Sequence, residues 1–98
     1  MVTRIVKMTF RTDSSEQFLA IFERYKSRIR ATEGCNHLAL LRDVQAPHIF
    51  FTYSHWVDES YLEQYRLSET FAELWPQVKS LFSEPAQAWT LSEQVIPL

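Results

Sequence analysis

The beginning of the chain alternates between two kinds of side chain. Val2, Val6 and Met8 share one face with the charged Arg4, while the intervening positions fall on the opposite face. Because side chains point alternately to the two faces of a strand, this two-residue period predicts a strand over residues 2–10.

Apolar positions then change to helical spacing, which predicts a helix over residues 15–32. Asp13 and Ser14 are residue types that favour the N-cap, and acidic and amide residues follow three positions later, as in a capping box. Basic residues fill the last turns, and Gly34 is suited to end the helix as its C-cap.

The second half of the chain has further strand and helix patterns. Residues 36–44 and 49–56 are predicted strands, and the short polar segment between them suits an antiparallel hairpin. Asp58 is the predicted cap of the next helix, which pauses near Ser68, a second N-cap type. Because proline has no backbone N–H, we expect a kink or restart of the helix just before Pro76.

A final extended segment, residues 88–96, completes the order strand, helix, strand, strand, helix, strand. This order predicts an α+β, ferredoxin-like split βαβ fold with an antiparallel four-stranded sheet and helices on one face. The strand at residues 49–56 is apolar on both faces. We therefore expect an identical sheet from a second subunit to cover the other face, as in a dimeric α+β barrel.

Length and composition narrow the functional classes. The 98 residues fit a single domain over 1–98, and 14% of them are aromatic. A net charge of −2 with interspersed signs indicates neither a nucleic-acid-binding nor a membrane-binding protein. Cys35 is the only cysteine and Gly34 the only glycine, which excludes an intrachain disulfide and Gly-rich phosphate loops. We expect no metal or other cofactor and a cytoplasmic location.

Five segments together resemble the antibiotic biosynthesis monooxygenase (ABM) family, a branch of the dimeric α+β barrel superfamily. The segments are RIVKMTF (Arg4–Phe10), EQFLAIFE (Glu16–Glu23), GCNHLALLRD (Gly34–Asp43), IFFTYSHW (Ile49–Trp56) and LEQYRLSETF (Leu62–Phe71). The resemblance covers nearly the whole chain. It is specific for the fold and the family, and it leaves the substrate open.

The resemblance implies a homodimer in which each subunit has a pocket between its sheet and its helices. It also implies a monooxygenase that oxidises a small phenolic or quinol-like aromatic compound with dioxygen. Such members need neither metal nor flavin, because an ionised phenol is electron-rich enough to reduce dioxygen itself. The alternative is a dimeric small-molecule-binding domain of the same fold without turnover.

The resemblance also places residues of the pocket. Trp56 matches the strand-end tryptophan of the quinone-forming members, and Ser54 and Thr52 are the polar positions that precede it on the same strand face. Thr52 stands where the best-known of these enzymes has an asparagine, and its hydroxyl is the weaker hydrogen-bond partner. Five further aromatic residues at helical spacing belong either to the core or to the pocket wall. They are Phe22, Tyr25, Tyr65, Phe71 and Trp75, and the first, third, fourth and fifth of these are predicted to bind the substrate.

Two histidines are the candidate catalytic bases, because their ordinary pKa lies near neutrality. His55 has the opposite strand parity to Trp56 and is predicted to point away from the helices, and His37 faces the same way from the neighbouring strand. A histidine at such a position is more often an interface residue than a base. Arg42 shares its parity with the apolar positions of its strand. It either closes a salt bridge at the sheet edge or holds an anionic ligand.

The haem-degrading branch of the family resembles the chain less well. Its asparagine, tryptophan and iron-ligating histidine align with Val6, Tyr65 and Trp75, and Thr70 replaces a histidine that many members carry. Without the axial histidine, iron would lack its proximal ligand from the expected position. The sequence therefore argues against haem degradation.

Overall fold

The computed structural model describes residues 1–95. Its strands and helices follow one another in the order that the hydrophobic periods predict. The elements are β1 (Val2–Thr9), α1 (Ser15–Arg30), β2 (Cys35–Arg42), β3 (Ile49–Trp56), α2 (Glu59–Arg66), α3 (Glu69–Lys79) and β4 (Gln87–Ser92). The strands form one antiparallel sheet in the order β2-β3-β1-β4. This architecture confirms the predicted α+β, ferredoxin-like fold.

The element bounds agree with the sequence except near the ends. β3 has its predicted limits, whereas α1 ends two residues before the predicted limit of 32. β4 is shorter than predicted because the chain leaves the sheet after Ser92. The predicted last residue of that strand, Ile96, lies outside the described residues.

The two predicted caps of α1 are wrong in detail. Ser14 is the N-cap residue, but its backbone is near-helical and its side chain makes no capping hydrogen bond. Its hydroxyl instead donates to Asp13 Oδ1 at 3.3 Å. At the other end Ala31 is the C-cap. Gly34 lies three residues further on, where its φ of 85° serves the turn into β2.

Helices α2 and α3 begin with the caps that the sequence predicts. Asp58 accepts a hydrogen bond from Ser60 N at 2.8 Å, and Ser68 accepts one from Phe71 N at 3.2 Å. Of the expected kink or restart before Pro76, the restart is wrong, because α3 runs through Pro76 to Lys79, and the kink stays a prediction. Proline satisfies the helical φ, and it lies on the exposed side of the helix, where water can bond the carbonyl that loses its partner.

The helices all pack on one face of the sheet, which we call the helix face. Val6, Met8 and Phe50 from this face join Phe18 of α1 in the main core, where the rings of Phe10 and Phe18 stack at 4.3 Å. Each fully buried phenylalanine contributes about 1.5–3 kcal/mol to folding. No helix of residues 1–95 lies on the opposite side of the sheet, which we call the open face.

Candidate functional site

A cavity of about 320 Å³ lies between the helix face of the sheet and the helices. Its floor comes from alternate residues of β1 and β3, and its walls come mainly from α2 and α3. Because strand side chains alternate, the cavity receives only one parity of each strand. Its volume lies at the lower end of the range of roughly 300–1,000 Å³ that is typical of small-molecule sites.

A polar strip crosses the floor of this cavity. In the sheet register Arg4 of β1 pairs with Ser54 of β3 on one side and with Thr90 of β4 on the other. Arg4 Nη1 donates to Thr90 Oγ1 at 2.7 Å. Thr52 lies one pair further along, opposite the apolar Val6. Hydroxyl and guanidinium groups therefore converge on an otherwise apolar space.

Trp56 closes the cavity at the end of β3. Its side chain is 0% exposed, and its Nε1 donates to Ser54 Oγ at 3.0 Å. The two residues are two positions apart on one strand, so the alternation of β3 places both on the helix face. With its oxygen accepting from the indole, the Ser54 hydroxyl keeps its own proton to donate.

A continuous series of aromatic rings forms the opposite wall. The Tyr65 ring stacks on Trp56 at 5.3 Å, Phe71 contacts Tyr65 at 5.3 Å, and Trp75 stacks on Phe71 at 5.5 Å. Burial, and to a smaller extent the nearby Cys35 thiol, raises the pKa of the Tyr65 hydroxyl. Tyr65 is therefore protonated at neutral pH, so that it acts as a hydrogen-bond donor and not as a base.

The cavity also has two positive charges. Burial lowers the pKa of the Arg4 guanidinium, and the positive charge of Arg66 lowers it further, while Glu63 raises it. An arginine nevertheless stays protonated in proteins. Arg66, at the C-terminal end of α2, also lines the cavity and forms an ion pair with Glu63 at 3.4 Å.

The structure places the predicted pocket residues together. Seven side chains that the sequence proposed as substrate-binding all line this one cavity: Phe22, Thr52, Ser54, Trp56, Tyr65, Phe71 and Trp75. Contact with a substrate stays a prediction for each of them. The aromatic rings leave the cavity unfilled, so these residues form the wall of the cavity, and most of them at the same time pack in or against the hydrophobic core.

The two candidate bases lie elsewhere. His37 and His55 are cross-strand partners on the open face, with ring centroids 5.2 Å apart, and Tyr53 contacts both rings. Neither histidine lines the cavity. Their predicted role as the base would therefore require a substrate at the open face.

Sequence reasoning missed the two arginines of the cavity. A signal for Arg4 was present, because it shares the parity of Val2, Val6 and Met8, whose side chains face the helices. No comparable signal existed for Arg66, which follows the helical pattern of an exposed position. Arg42, which the sequence did single out, donates from Nε to the Pro47 carbonyl at 2.6 Å at the sheet edge.

The positions that align with the functional residues of the haem-degrading branch also lie at the cavity. Val6, Tyr65 and Trp75 all line the cavity, and its wall contains no histidine among residues 1–95. In the same part of the chain, no three His, Cys, Asp or Glu side chains cluster closely enough to hold a metal ion.

None of the helices described is both long and apolar enough to cross a bilayer.

The sheet, the helices on one of its faces and the aromatic cavity between them define an α+β protein of the ferredoxin-like class. The sequence model of the antibiotic biosynthesis monooxygenase family matches residues 1–75. Since this match spans most of the chain, the protein belongs to that family. Among curated protein sequences none matches the chain significantly.

Solved structures share the fold at low sequence identity. A conserved protein from Methanosarcina mazei superposes with a TM-score of 0.90 at 19% identity, covering 96% of this chain and 94% of its own. An antibiotic biosynthesis monooxygenase gives 0.88 at 18% identity, with coverages of 99% and 100%. A mutant of SnoaB, a cofactor-independent oxygenase from Streptomyces nogalater, gives 0.86 at 16%, with coverages of 99% and 97%. These similarities establish the shared fold.

Proposed function

We propose that this protein is a cofactor-independent monooxygenase that oxidises a small phenolic or quinol-like aromatic compound with dioxygen. The observation that carries the proposal is the aromatic cavity, whose otherwise largely apolar lining includes the hydroxyl residues Tyr65 and Ser54. Membership of the ABM family and the cofactor-independent oxygenase of the same fold support it.

The proposed reaction needs an ionised phenol, which donates electrons to dioxygen. In an anthrone-type phenol the ring methylene becomes a carbonyl. One oxygen atom forms that carbonyl, and the other leaves as water with the two methylene hydrogens. The substrate supplies all the electrons, so no external reductant is required. The apolar walls exclude bulk water, which strengthens each hydrogen bond to the phenolate.

The chain's own side chains have separate roles in this proposal. Tyr65 and Ser54 donate hydrogen bonds to the substrate oxygen, and Trp56 and Phe71 contact the faces of its rings. No carboxylate or histidine from the described residues lines the cavity. We propose that the phenolic proton passes to solvent, with the positive charge of Arg4 favouring the anion.

We also propose that two copies pair through their open faces. Leu41, Trp89 and Leu91 lie on this face and are 51%, 43% and 47% exposed. The same face holds the His37 and His55 rings. Large apolar side chains on one uncovered sheet surface favour sheet-on-sheet packing, which would remove them from water.

A binding protein without turnover is the second candidate function. It is favoured by the absence of a carboxylate or histidine from the part of the cavity wall that the structure describes. The weaker hydrogen-bonding capacity of Thr52, in place of an asparagine, also favours it. The same cavity would then hold an aromatic compound without oxidising it.

Oxygen consumption distinguishes the two candidates. The purified protein is mixed with a panel of anthrones and quinols, and uptake is followed with an oxygen electrode. We expect uptake with at least one anthrone. Tyr65→Phe should lower kcat/KM by roughly tenfold, the value of one hydrogen bond to an anion. Tyr61→Phe, on the same helix but outside the cavity wall, is the matched control and should leave uptake unchanged. Binding without uptake across the panel would favour the second candidate.

A further inference from the structure

Arg4 is a charged side chain in the floor of the cavity without a carboxylate partner among residues 1–95. Its neighbours in the sheet are the hydroxyl residues Ser54 and Thr90. The one hydrogen bond that its guanidinium makes in that part of the chain is to Thr90 Oγ1, at 2.7 Å. The remaining N–H donors have no described protein acceptor, and none of them is fully buried, so they are free to bond a molecule in the cavity.

The electrostatic surroundings do not neutralise this charge. Glu63 is the carboxylate that raises the pKa of Arg4, and it forms its ion pair with Arg66 instead. Arg66 also lines the cavity, so a second guanidinium adds to the positive potential. Arg66 lowers the pKa of Arg4, so the two positive charges repel each other, and Glu63 offsets this repulsion only in part; an anion bound beside Arg4 would be favoured.

The apolar remainder of the cavity restricts what the anion can be. Aromatic side chains from α2 and α3 cover one wall, and Val6 and Met8 of β1 continue the floor from Arg4. A simple inorganic anion would leave this surface unfilled. An aromatic molecule with an anionic group at one end would satisfy both the guanidinium and the apolar walls.

We propose that the substrate is an aromatic compound with an ionised oxygen group, a carboxylate or a phenolate, and that Arg4 binds this group. Thr90 holds the guanidinium in place, and Arg66 adds charge at the cavity wall. The inference rests on the proposed function, since it takes the cavity to be the substrate site. It adds a direct contact between Arg4 and the ionised group, which makes Arg4 a specificity-determining residue, and it extends that group to a carboxylate.

Paired probes of the same shape test the inference without requiring turnover. Naphthoate and naphthamide differ in charge but have nearly the same size, and quenching of tryptophan fluorescence reports their binding. We expect the wild-type protein to bind naphthoate roughly tenfold or more tightly than naphthamide, because a charge-assisted hydrogen bond is stronger than a neutral one.

A second probe, para-nitrophenol, is yellow only as the phenolate. An increase of its yellow fraction on binding to the wild type but not to Arg4→Gln would assign the phenolate to Arg4, and an increase that persists in Arg4→Gln would overturn that assignment. A preference confined to naphthoate would assign the carboxylate.

Three variants assign the preference to Arg4. Arg4→Gln should bind the two naphthalene probes with nearly equal affinity, whereas Arg4→Lys should retain part of the preference. Arg24→Gln removes the same charge from an exposed position on α1 and should behave as wild type. If Arg4→Gln does not fold, the wild-type and Arg4→Lys measurements still decide.

The possible results separate this inference from the proposed function. Equal binding of naphthoate and naphthamide by the wild type, with no ionisation of para-nitrophenol, overturns the anionic substrate but leaves an aromatic binding site. A preference that survives in Arg4→Gln overturns the assignment to Arg4. Failure of every probe to bind overturns both the inference and the proposed site.

Discussion

Replacing Ser54 with alanine removes the hydrogen-bond acceptor of a buried indole. Trp56 is fully buried, and its N–H donates to Ser54 Oγ at 3.0 Å. After the substitution the indole N–H loses its partner while the ring stays in place. A buried donor without a partner costs about 1–3 kcal/mol. We therefore expect Ser54→Ala to lower the free energy of unfolding by this amount.

Urea denaturation followed by tryptophan fluorescence measures the effect. A loss of each kcal/mol should also lower Tm by about 4–8 °C in a domain of this size. Ser27→Ala is the matched control, because Ser27 is exposed on α1. That control should be neutral or slightly stabilising, since alanine is the better helix former.

A double-mutant cycle isolates the hydrogen bond itself. Trp56→Phe removes the donor and also shrinks the ring, so the single variant is destabilised by lost packing as well. If the bond matters, Ser54→Ala should cost less in the Trp56→Phe background than in the wild type. Equal costs in both backgrounds, or a loss below about 0.5 kcal/mol in the wild type, would refute the reasoning.

Three further predictions concern the turn into β2, the cap of α2 and the open face. Gly34→Ala should lower the free energy of unfolding, measured by urea denaturation, by about 2–4 kcal/mol. Gly34 has a positive φ, and an added Cβ would lie 2.3 Å from Tyr61 Cγ. A loss below about 1 kcal/mol would contradict this prediction. Hydrogen bonds from Ser60 lower the pKa of the Asp58 carboxyl below its ordinary 3.8. The ionised carboxylate therefore stabilises the folded protein above pH 3.8, and this stabilisation is lost as the pH falls through the lowered pKa. In thermal melts, Asp58→Asn should show a smaller decrease of Tm at acid pH than the wild type. Leu91→Lys should shift sedimentation toward monomer, unlike Leu67→Lys on the helix side, and an unchanged dimer would contradict pairing through the open face.

The fold was accessible from the sequence because its elements have strong local signals. The alternation at residues 2–10 and the caps at Asp58 and Ser68 depend on neighbours in the chain. The error at Pro76 has a different origin. A proline within a helix removes one hydrogen bond and crowds the preceding turn, which is why the sequence predicts a restart; in the structure Pro76 lies on the exposed side, and α3 continues through it.

The candidate site was only partly accessible. Strand parity and family resemblance placed Trp56, Ser54 and Thr52 on one surface, and the structure adds that a cavity lies above them. The roles of Arg4 and Arg42 could not be ranked from parity, because both share a face with apolar residues. Sheet order separates them, since β1 is an inner strand and Arg42 lies at the end of an edge strand.

The histidine pair illustrates what strand register adds. His37 and His55 were expected to face the same way from neighbouring strands, and the register makes them direct partners. A bulge between Cys35 and His37 sets this pairing, and bulges are not visible as a hydrophobic period. The pair is therefore a feature of the open face and is separated from the cavity by the sheet.

Isotopically labelled dioxygen provides the most direct test of the proposed oxidation at the cavity. The protein is incubated with an anthrone that supports oxygen uptake, and the product is analysed by mass spectrometry. The account predicts one labelled oxygen atom in each quinone molecule, formed faster than in the protein-free control and more slowly with Tyr65→Phe. Product formation no faster than in the protein-free control, or a quinone whose new oxygen is unlabelled, would contradict it.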